Sequence, residues 1–324
     1  MIFLVSVTMT GVLRLYAVTH RIMDIPGQRS SHQLPTPRGG GMAIVLAFLI
    51  ALFGFFMSNK LSCSVAMAFS SGLLVAGIGF WDDHVHVPAR WRFLVHMLSA
   101  FIVMFFLNDL PVLKIVDFKW LGYGVAALFL VWLLNLYNFM DGIDGIAASE
   151  AVFVSLSLAG FLYLVDIELS RVALMIAFST FGFLLWNWPP AKIFMGDVGS
   201  GFLGFILGIL ILESSRVNPV FLYMGMILLA VFVVDASYTL LYRFFSGQKW
   251  YEAHCCHAYQ HAAKKYGHLK VVAVIWAINL FILLPVSLFV FRHPAFTFAA
   301  LFGTYFALTY LAVRLGAGRV KVDV

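Results

Sequence analysis

The sequence predicts an all-α fold, a polytopic integral membrane helical bundle of about 10–11 transmembrane helices. Three observations predict it. Hydrophobic residues make up 62% of the chain and charged ones only 11%, against about 25% charged in a soluble domain. The apolar runs are about 17–24 residues long, enough to cross a bilayer as helices. Mean hydropathy is +0.96 over 324 residues, and the alternating pattern of a transmembrane barrel is absent.

Eleven stretches qualify as spans. They lie at about 1–19, 41–57, 63–80, 93–108, 119–137, 147–164, 172–187, 200–213, 220–242, 271–291 and 296–313, with 200–213 the shortest. The first begins at Met1, carries Arg14 and lacks both a basic n-region and a small-residue cleavage site. It is expected to be a retained span, not a cleaved signal. Cys63, Cys255 and Cys256 cannot build a disulfide framework. No linker is long enough for a separate soluble domain and no fixed-period repeat is apparent, so residues 1–324 read as a single transmembrane domain.

The positive charges set the orientation. One set of connections carries Arg21, Arg29, Arg38, Arg90, Arg92, Lys192, Arg243, Lys249, Lys264, Lys265, Lys270, Arg314, Arg319 and Lys321. The other carries Lys60, Lys114, Lys119, Arg171, Arg216 and Arg292. The positive-inside rule puts the richer side in the cytosol, with the N-terminus outside and the C-terminus in. The net charge of +6 thus reflects sidedness and gives no reason to expect nucleic-acid binding.

The polar and glycine-rich clusters nearly all fall on that same side. They are DIPGQRSSHQLPTPRGGG (24–41), WDDHVHVPAR (81–90), NLYNFMDGIDG (135–145), WNWPPAKIFMGDVGS (186–200) and KWYEAHCCHAYQHAAKKYGH (249–268). Loops at about 20–40, 81–92, 138–146, 188–199 and 243–270 are therefore expected to form the site. The opposite loops are short and plain.

Each cluster admits a bland reading and a chemical one. Asp82 and Asp83 end a span, either as interfacial charges or as carboxylates neutralised by a cation such as Mg²⁺. Asp141 and Asp144, at i and i+3, are expected on one helical face behind Asn135 and Asn138. That polar stripe is either a helix contact or a ligand site, and its spacing excludes an EF-hand. FMGDVGS sets Asp197 between two glycines ahead of an apolar helix, where backbone amides suit a phosphate. PRGGG offers Arg38 and further amides of the same kind.

His254, His257 and His261, at i, i+3 and i+7, are expected on one helical face. HCCH is too tight for a single zinc; the histidines either hold phosphate or sugar oxygens or belong to a solvated amphipathic helix. Asp235 sits within an apolar run, where a carboxylate calls for a partner; Arg243 is the expected cation. Carboxylates with Mg²⁺ and basic groups suit phosphoryl transfer. A membrane location implies a lipid acceptor, and a cytosolic face implies a soluble activated donor. An ion-coupled transporter is the alternative, but its carboxylates should cluster at the midplane. A scaffold does not explain the clustered carboxylates.

The five clusters, in this order from about residue 24 to 261, resemble the polyprenyl-phosphate N-acetylhexosamine-1-phosphate transferase family. The EAHCCHAYQ segment is most similar to the O-antigen-initiating, WbpL-like branch. The resemblance implies transfer of a sugar phosphate from a UDP-N-acetylhexosamine to undecaprenyl phosphate, a membrane lipid, giving the lipid diphosphate sugar and UMP. It implies Mg²⁺, with Mn²⁺ as a substitute, the bacterial cytoplasmic (inner) membrane, no nucleic acid, and allows a homodimer. By the same resemblance Asp197 and Asn138 hold the metal beside Asp141 and Asp144. Asp82 or Asp83 deprotonates the lipid phosphate. Asn187 and Phe194 lie near the uracil. Arg38, Arg90, Arg243, His254, His257 and His261 contact substrate. The chain departs from the family pattern at Arg29-Ser30-Ser31-His32, at FVVD (232–235) and in the histidine motif.

Overall fold

The computed structural model describes residues 1–27, 34–85, 87–107, 119–249 and 254–319; the 29–32 stretch and the start of the histidine segment lie outside them. Among the described residues the only strands are the short pair β1 (Met23–Asp24) and β2 (Thr36–Pro37), which run antiparallel; helices make up most of the rest. The helices are α1 (Ile2–Thr19), α2 (Gly41–Met57), α3 (Cys63–Ser70), α4 (Gly72–His84), α5 (Ala89–Phe106), α6 (Lys119–Met140), α7 (Ile146–Leu162), α8 (Ile167–Asn187) and α9 (Asp197–Val217). After these come α10 (Val220–Leu228), α11 (Ala230–Phe245), α12 (Ala258–Tyr266), α13 (His268–Ile278), α14 (Leu284–Arg292) and α15 (Thr297–Arg314).

All eleven expected spans coincide with helices. Eight helices, or near-continuous helix pairs, are long and apolar enough to cross a membrane. The expected 220–242 span is not straight: α10 and α11 meet at Leu229 with a bend of 74°. The helices over 41–57 and 147–164 have 17 residues each, the length at which a span fits only a thin or locally compressed bilayer. Between α13 and α14 the chain makes a π-turn at Asn279–Leu283. Pro285 explains it: the ring lacks an N–H and collides with the carbonyl four residues back, so the helix widens there.

The shortest apolar stretch in the sequence sits at the centre of the bundle. Every residue of α9 from Val198 to Ser215 is buried, and α9 packs on α6, α4, α2 and α10. An apolar helix with no polar face is what such a position demands. Its N-terminus, Asp197, is thereby delivered to one end of the bundle.

The two ends differ. At one, Ser62 donates from both its N–H and its hydroxyl to Glu168 Oε1 (2.6 and 2.8 Å) and Arg171 donates to the Lys60 carbonyl. Asp166 caps α8 by accepting from Leu169 N–H. At the other, Arg14 donates to the Lys192 carbonyl, Arg38 to the Asp83 carbonyl, and Arg92 faces Asp82 and Asp197. The candidate site lies at this second end.

Candidate active site

A cavity of about 280 Å³ opens at that end, lined by Asp24, Arg38, Asp83, Asn138, Asp141, Gly142, Asp144, Asn187, Phe194, Gly196, Asp197, Gln260 and His268 among others. Five elements bring these together: the β1–β2 hairpin, the end of α4, the turn between α6 and α7, the loop before α9 and the α12–α13 corner.

The turn residues after α6 are not helical as expected. The helix stops at Met140, and Asp141–Gly145 form a turn before α7. Asp144 pins this turn: its Oδ2 accepts from Ala191 N–H at 3.1 Å and lies 3.3 Å from His268 Nδ1. Asn187 does the same from below, accepting from Gly145 N–H at 2.9 Å and donating to the Ile193 carbonyl at 3.0 Å. Both ends of its amide are therefore spent on folding the site. Gly142 is a place of close approach, since a Cβ there would run into Tyr259 Oη.

Asp83 is buried, and its two oxygens accept from Asp197 N–H (3.1 Å) and Val198 N–H (3.2 Å). It thus caps α9, and the amides expected to cradle a phosphate are occupied by a carboxylate of the chain itself. Gly196, at φ +77°, presses so closely on that carboxylate that no side chain fits. The amides of PRGGG are spent likewise: Gly40 N–H donates to the Phe194 carbonyl and Gly41 N–H to that of Met195, each at 2.9 Å. The glycine turn docks on FMGDVGS and is not a phosphate cradle. Asp82 pairs with Arg92 Nη1 at 2.6 Å and accepts from Val87 N–H at 2.7 Å. The adjacent aspartates thus each find partners within the protein, Arg92 for Asp82 and the first amides of α9 for Asp83.

Asp141 is different. Its carboxylate forms no hydrogen bond or ion pair with a described residue. Desolvation in the cavity, then the charges of Asp197, Asp83 and Asp144, push it well above the usual carboxylate range. Asp197 stands beside it, half-exposed, with Arg92 Nη1 at 3.4 Å and Asn138 against its oxygens. A crowd of carboxylates with one unpaired member is a donor set for a hard cation. Among the described residues no group of three acidic, histidine or cysteine side chains is placed to hold a metal ion by itself.

Five expected contacts lie elsewhere. Arg90 points away, its guanidinium 5.8 Å over the Trp91 ring. Arg243 is buried and donates to Gln248 Oε1 and the Lys249 carbonyl. It is not the partner of Asp235. That carboxylate accepts from Ala258 N–H and Tyr259 N–H, both at 2.9 Å, and from the Thr239 hydroxyl; it caps α12. The histidines do not share a helical face, because α12 begins only at Ala258. His257 is its N-cap, with Nδ1 3.4 Å from Asp235 Oδ1. His254 precedes it, and burial, His257 and Arg243 hold its imidazole down to about 4. None of the three lines the acidic cavity; Gln260 and His268 do. Asp24, Arg92, Gln260 and His268 are the lining or neighbouring groups that motif reading missed. Arg92 carried a signal, since an arginine one turn into the helix after DDHVHVP (82–88) faces back toward the pair.

Beside this cavity runs a groove of about 530 Å³ between α4, α5 and α6, walled by Val75, Ile78, Phe93, Leu128 and Trp132. It shares Asn138 and Asp197 with the acidic cavity and has Arg92 and His96 in its wall. A polytopic bundle that joins an acidic chamber at one end to an apolar groove has the architecture of an enzyme for lipid-linked substrates. Comparison with known proteins narrows the class. Residues 63–215 match the model of glycosyl transferase family 4. A probable undecaprenyl-phosphate N-acetylglucosaminyl 1-phosphate transferase of Bacillus subtilis is 28% identical, over 74% of this chain and 69% of its own length. The undecaprenyl-phosphate alpha-N-acetylglucosaminyl 1-phosphate transferase of Thermotoga maritima is 26% identical over 98% of this chain and 99% of its own length. A phospho-N-acetylmuramoyl-pentapeptide-transferase of Streptococcus pneumoniae is 32% identical over 62% and 68%. The chain belongs to this family, the membrane-embedded transferases that place a sugar phosphate on a polyprenyl phosphate.

Proposed function

We propose that the protein transfers an N-acetylhexosamine-1-phosphate from a UDP-sugar to undecaprenyl phosphate, in the cytoplasmic (inner) membrane of a bacterium, with the site facing the cytosol. The observation that carries this reading is the junction of the acidic cavity with the apolar groove at Asn138 and Asp197. The groove takes the polyprenyl chain from the bilayer and stops its phosphate beside Arg92. The acidic cavity takes the nucleotide diphosphate, with Phe194 and Asn187 at its wall and Arg38 supplying positive charge.

A phosphate oxygen of the lipid attacks the β-phosphorus of the donor; the bond to the bridging oxygen breaks, and UMP leaves with that oxygen. Asp141 holds the position from which a proton on the lipid phosphate is received, because its carboxylate makes no hydrogen bond or ion pair with a described residue. Asp82 and Asp83 hold Arg92 and the start of α9 in place. Asp197 and Asn138, with Asp141, are the residues that would hold Mg²⁺; bound there, the ion supplies charge neutralisation to the diphosphate oxygens. The direct route needs no covalent enzyme species, and trapping a phosphosugar on Asp82 or Asp83 would overturn it. The EAHCCHAYQ segment supports the O-antigen-initiating branch.

The test is UMP release by the purified full chain in detergent, with undecaprenyl phosphate, a panel of UDP-N-acetylhexosamines and Mg²⁺ or Mn²⁺, followed by mass analysis of the lipid product. One UDP-sugar is expected to give a lipid diphosphate sugar and stoichiometric UMP. Absence of UMP with every donor and both metals would overturn the reading.

A further inference from the structure

A second apolar cavity, of about 370 Å³, lies between α11, α12, α13 and α15. It shares no lining residue with the acidic cavity or with the α4–α5–α6 groove. Val234, Ala262, Ile278, Leu308 and Ala312 form its wall, and Val274 and Leu311 stand exposed at its mouth. Asp235 is the one carboxylate in the lining, and both its oxygens are already satisfied by the amides of α12 and the Thr239 hydroxyl. Water has too few partners there to fill the space. An apolar void on the flank of transmembrane helices opens onto acyl chains, whose dispersion contacts fill it.

The rim selects among lipids. Lys270 lines the cavity at its charged end, and Tyr266 beside it carries the Lys265 ammonium 5.1 Å above its ring. A tyrosine with two lysines at the head of an apolar slot is the arrangement for an anionic headgroup at the interface. We propose that this cavity binds one acyl chain of an anionic phospholipid, with its headgroup phosphate held by Lys265 and Lys270. The site is distinct from the lipid substrate's groove. The wall between it and the acidic cavity is α12: Tyr259 and Ala262 face the lipid, while Gln260 on the same helix faces the chemistry. The bound lipid is thus a strut behind the active-site helix.

The experiment reads binding without a transferase assay, so it stands or falls separately from the proposed reaction. The purified full chain is loaded with phosphatidylglycerol or phosphatidylcholine, and retained lipid is counted by native mass spectrometry. The wild type is expected to keep one phosphatidylglycerol in preference to phosphatidylcholine. Val274→Trp, which plugs the exposed mouth without touching the core, is expected to lose it. Lys265→Gln with Lys270→Gln is expected to cut the phosphatidylglycerol preference roughly tenfold while lipid is still retained. Equal retention by Val274→Trp and wild type, or no headgroup preference in the wild type, would overturn the proposal. Displacement of the phosphatidylglycerol by undecaprenyl phosphate would overturn it too, by making the cavity part of the substrate path.

Discussion

Asp83 and Asp141 line the same cavity, yet their surroundings are opposite. Asp83 spends both oxygens on the first amides of α9, with Arg38 close by. The Asp141 carboxylate has no hydrogen-bond or ion-pair partner among the described residues, and the charges that act on it are those of other carboxylates. Asp82 and Asp144 belong with the first kind, bound to Arg92 and to Ala191 with His268. Asp197 lies between the two, reached by Arg92 at 3.4 Å and by Asn138 but not tied to a backbone amide through its side chain. In a crowd of carboxylates, those with occupied oxygens hold the site together and those with free oxygens are left for the ligand. The first kind should fail in stability when changed, the second in activity.

The largest effect is expected at Asp141 and Asp197, the two carboxylates not spent on backbone amides of the fold. Asp141→Asn and Asp197→Asn should each lower kcat by about 10²–10³-fold, the size of loss seen when one preorganised electrostatic group is removed. Both should stay folded in detergent, with a thermal midpoint equal to or above the wild type, because each removes a repelling charge. Full activity of Asp197→Asn at saturating Mg²⁺ would break the comparison. Asp83→Ala should do the converse first. Losing the cap of α9 should cost about 1–2 kcal/mol of stability, read as a lowered thermal midpoint before any substrate is added. An unchanged midpoint would mean that the cap is dispensable.

The same contrast has a pH signature. Asp141 titrates well above its unfolded value of 3.8. In the folded state it therefore keeps its proton where the unfolded chain has lost it. Stability should fall as pH rises from the ordinary carboxylate value through the raised one. Without divalent cations the wild-type midpoint should drop over that window, and the slope should flatten in Asp141→Asn. Adding Mg²⁺ should raise the wild-type midpoint at neutral pH but not that of Asp141→Asn, since a cation stabilises only the form that binds it. Equal slopes in the two proteins would remove Asp141 from the cation site.

Much of this was legible in the sequence. The apolar runs gave eleven helices, and the lysine and arginine count grouped the loops that meet at the acidic end. What was hidden is long-range hydrogen bonding. Nothing in MILLAV marks the 74° bend at Leu229, because neither glycine nor proline stands there and packing against α9 sets the angle. The amides of PRGGG and FMGDVGS read as free from local pattern alone, and only the fold shows that Phe194, Met195 and Asp83 occupy them. Asp235 looked like an intramembrane charge in search of a cation, and α12 supplied amides instead. Glu150, never prominent in the pattern, is fully enclosed and held by Asn279 Nδ2 at 2.6 Å. It joins the first helix after the DGIDG turn to the π-turn.

The smallest expected effect separates two arginines that sit two residues apart. Arg90 and Arg92 both follow the paired aspartates, and motif reading favours Arg90 for phosphate. The helix decides otherwise. Residues at i and i+2 point to different sides of α5, so when Arg92 reaches Asp82 and Asp197, Arg90 must turn outward onto Trp91. Arg92→Gln should lower kcat/KM about a hundredfold, since it strips the positive charge from the junction of groove and cavity. Arg90→Gln should stay within about twofold, as surface charges away from a site usually do. A reversed order in the UMP-release assay would show that α5 rotates when substrate binds, and would move the phosphate site to the helix's other face.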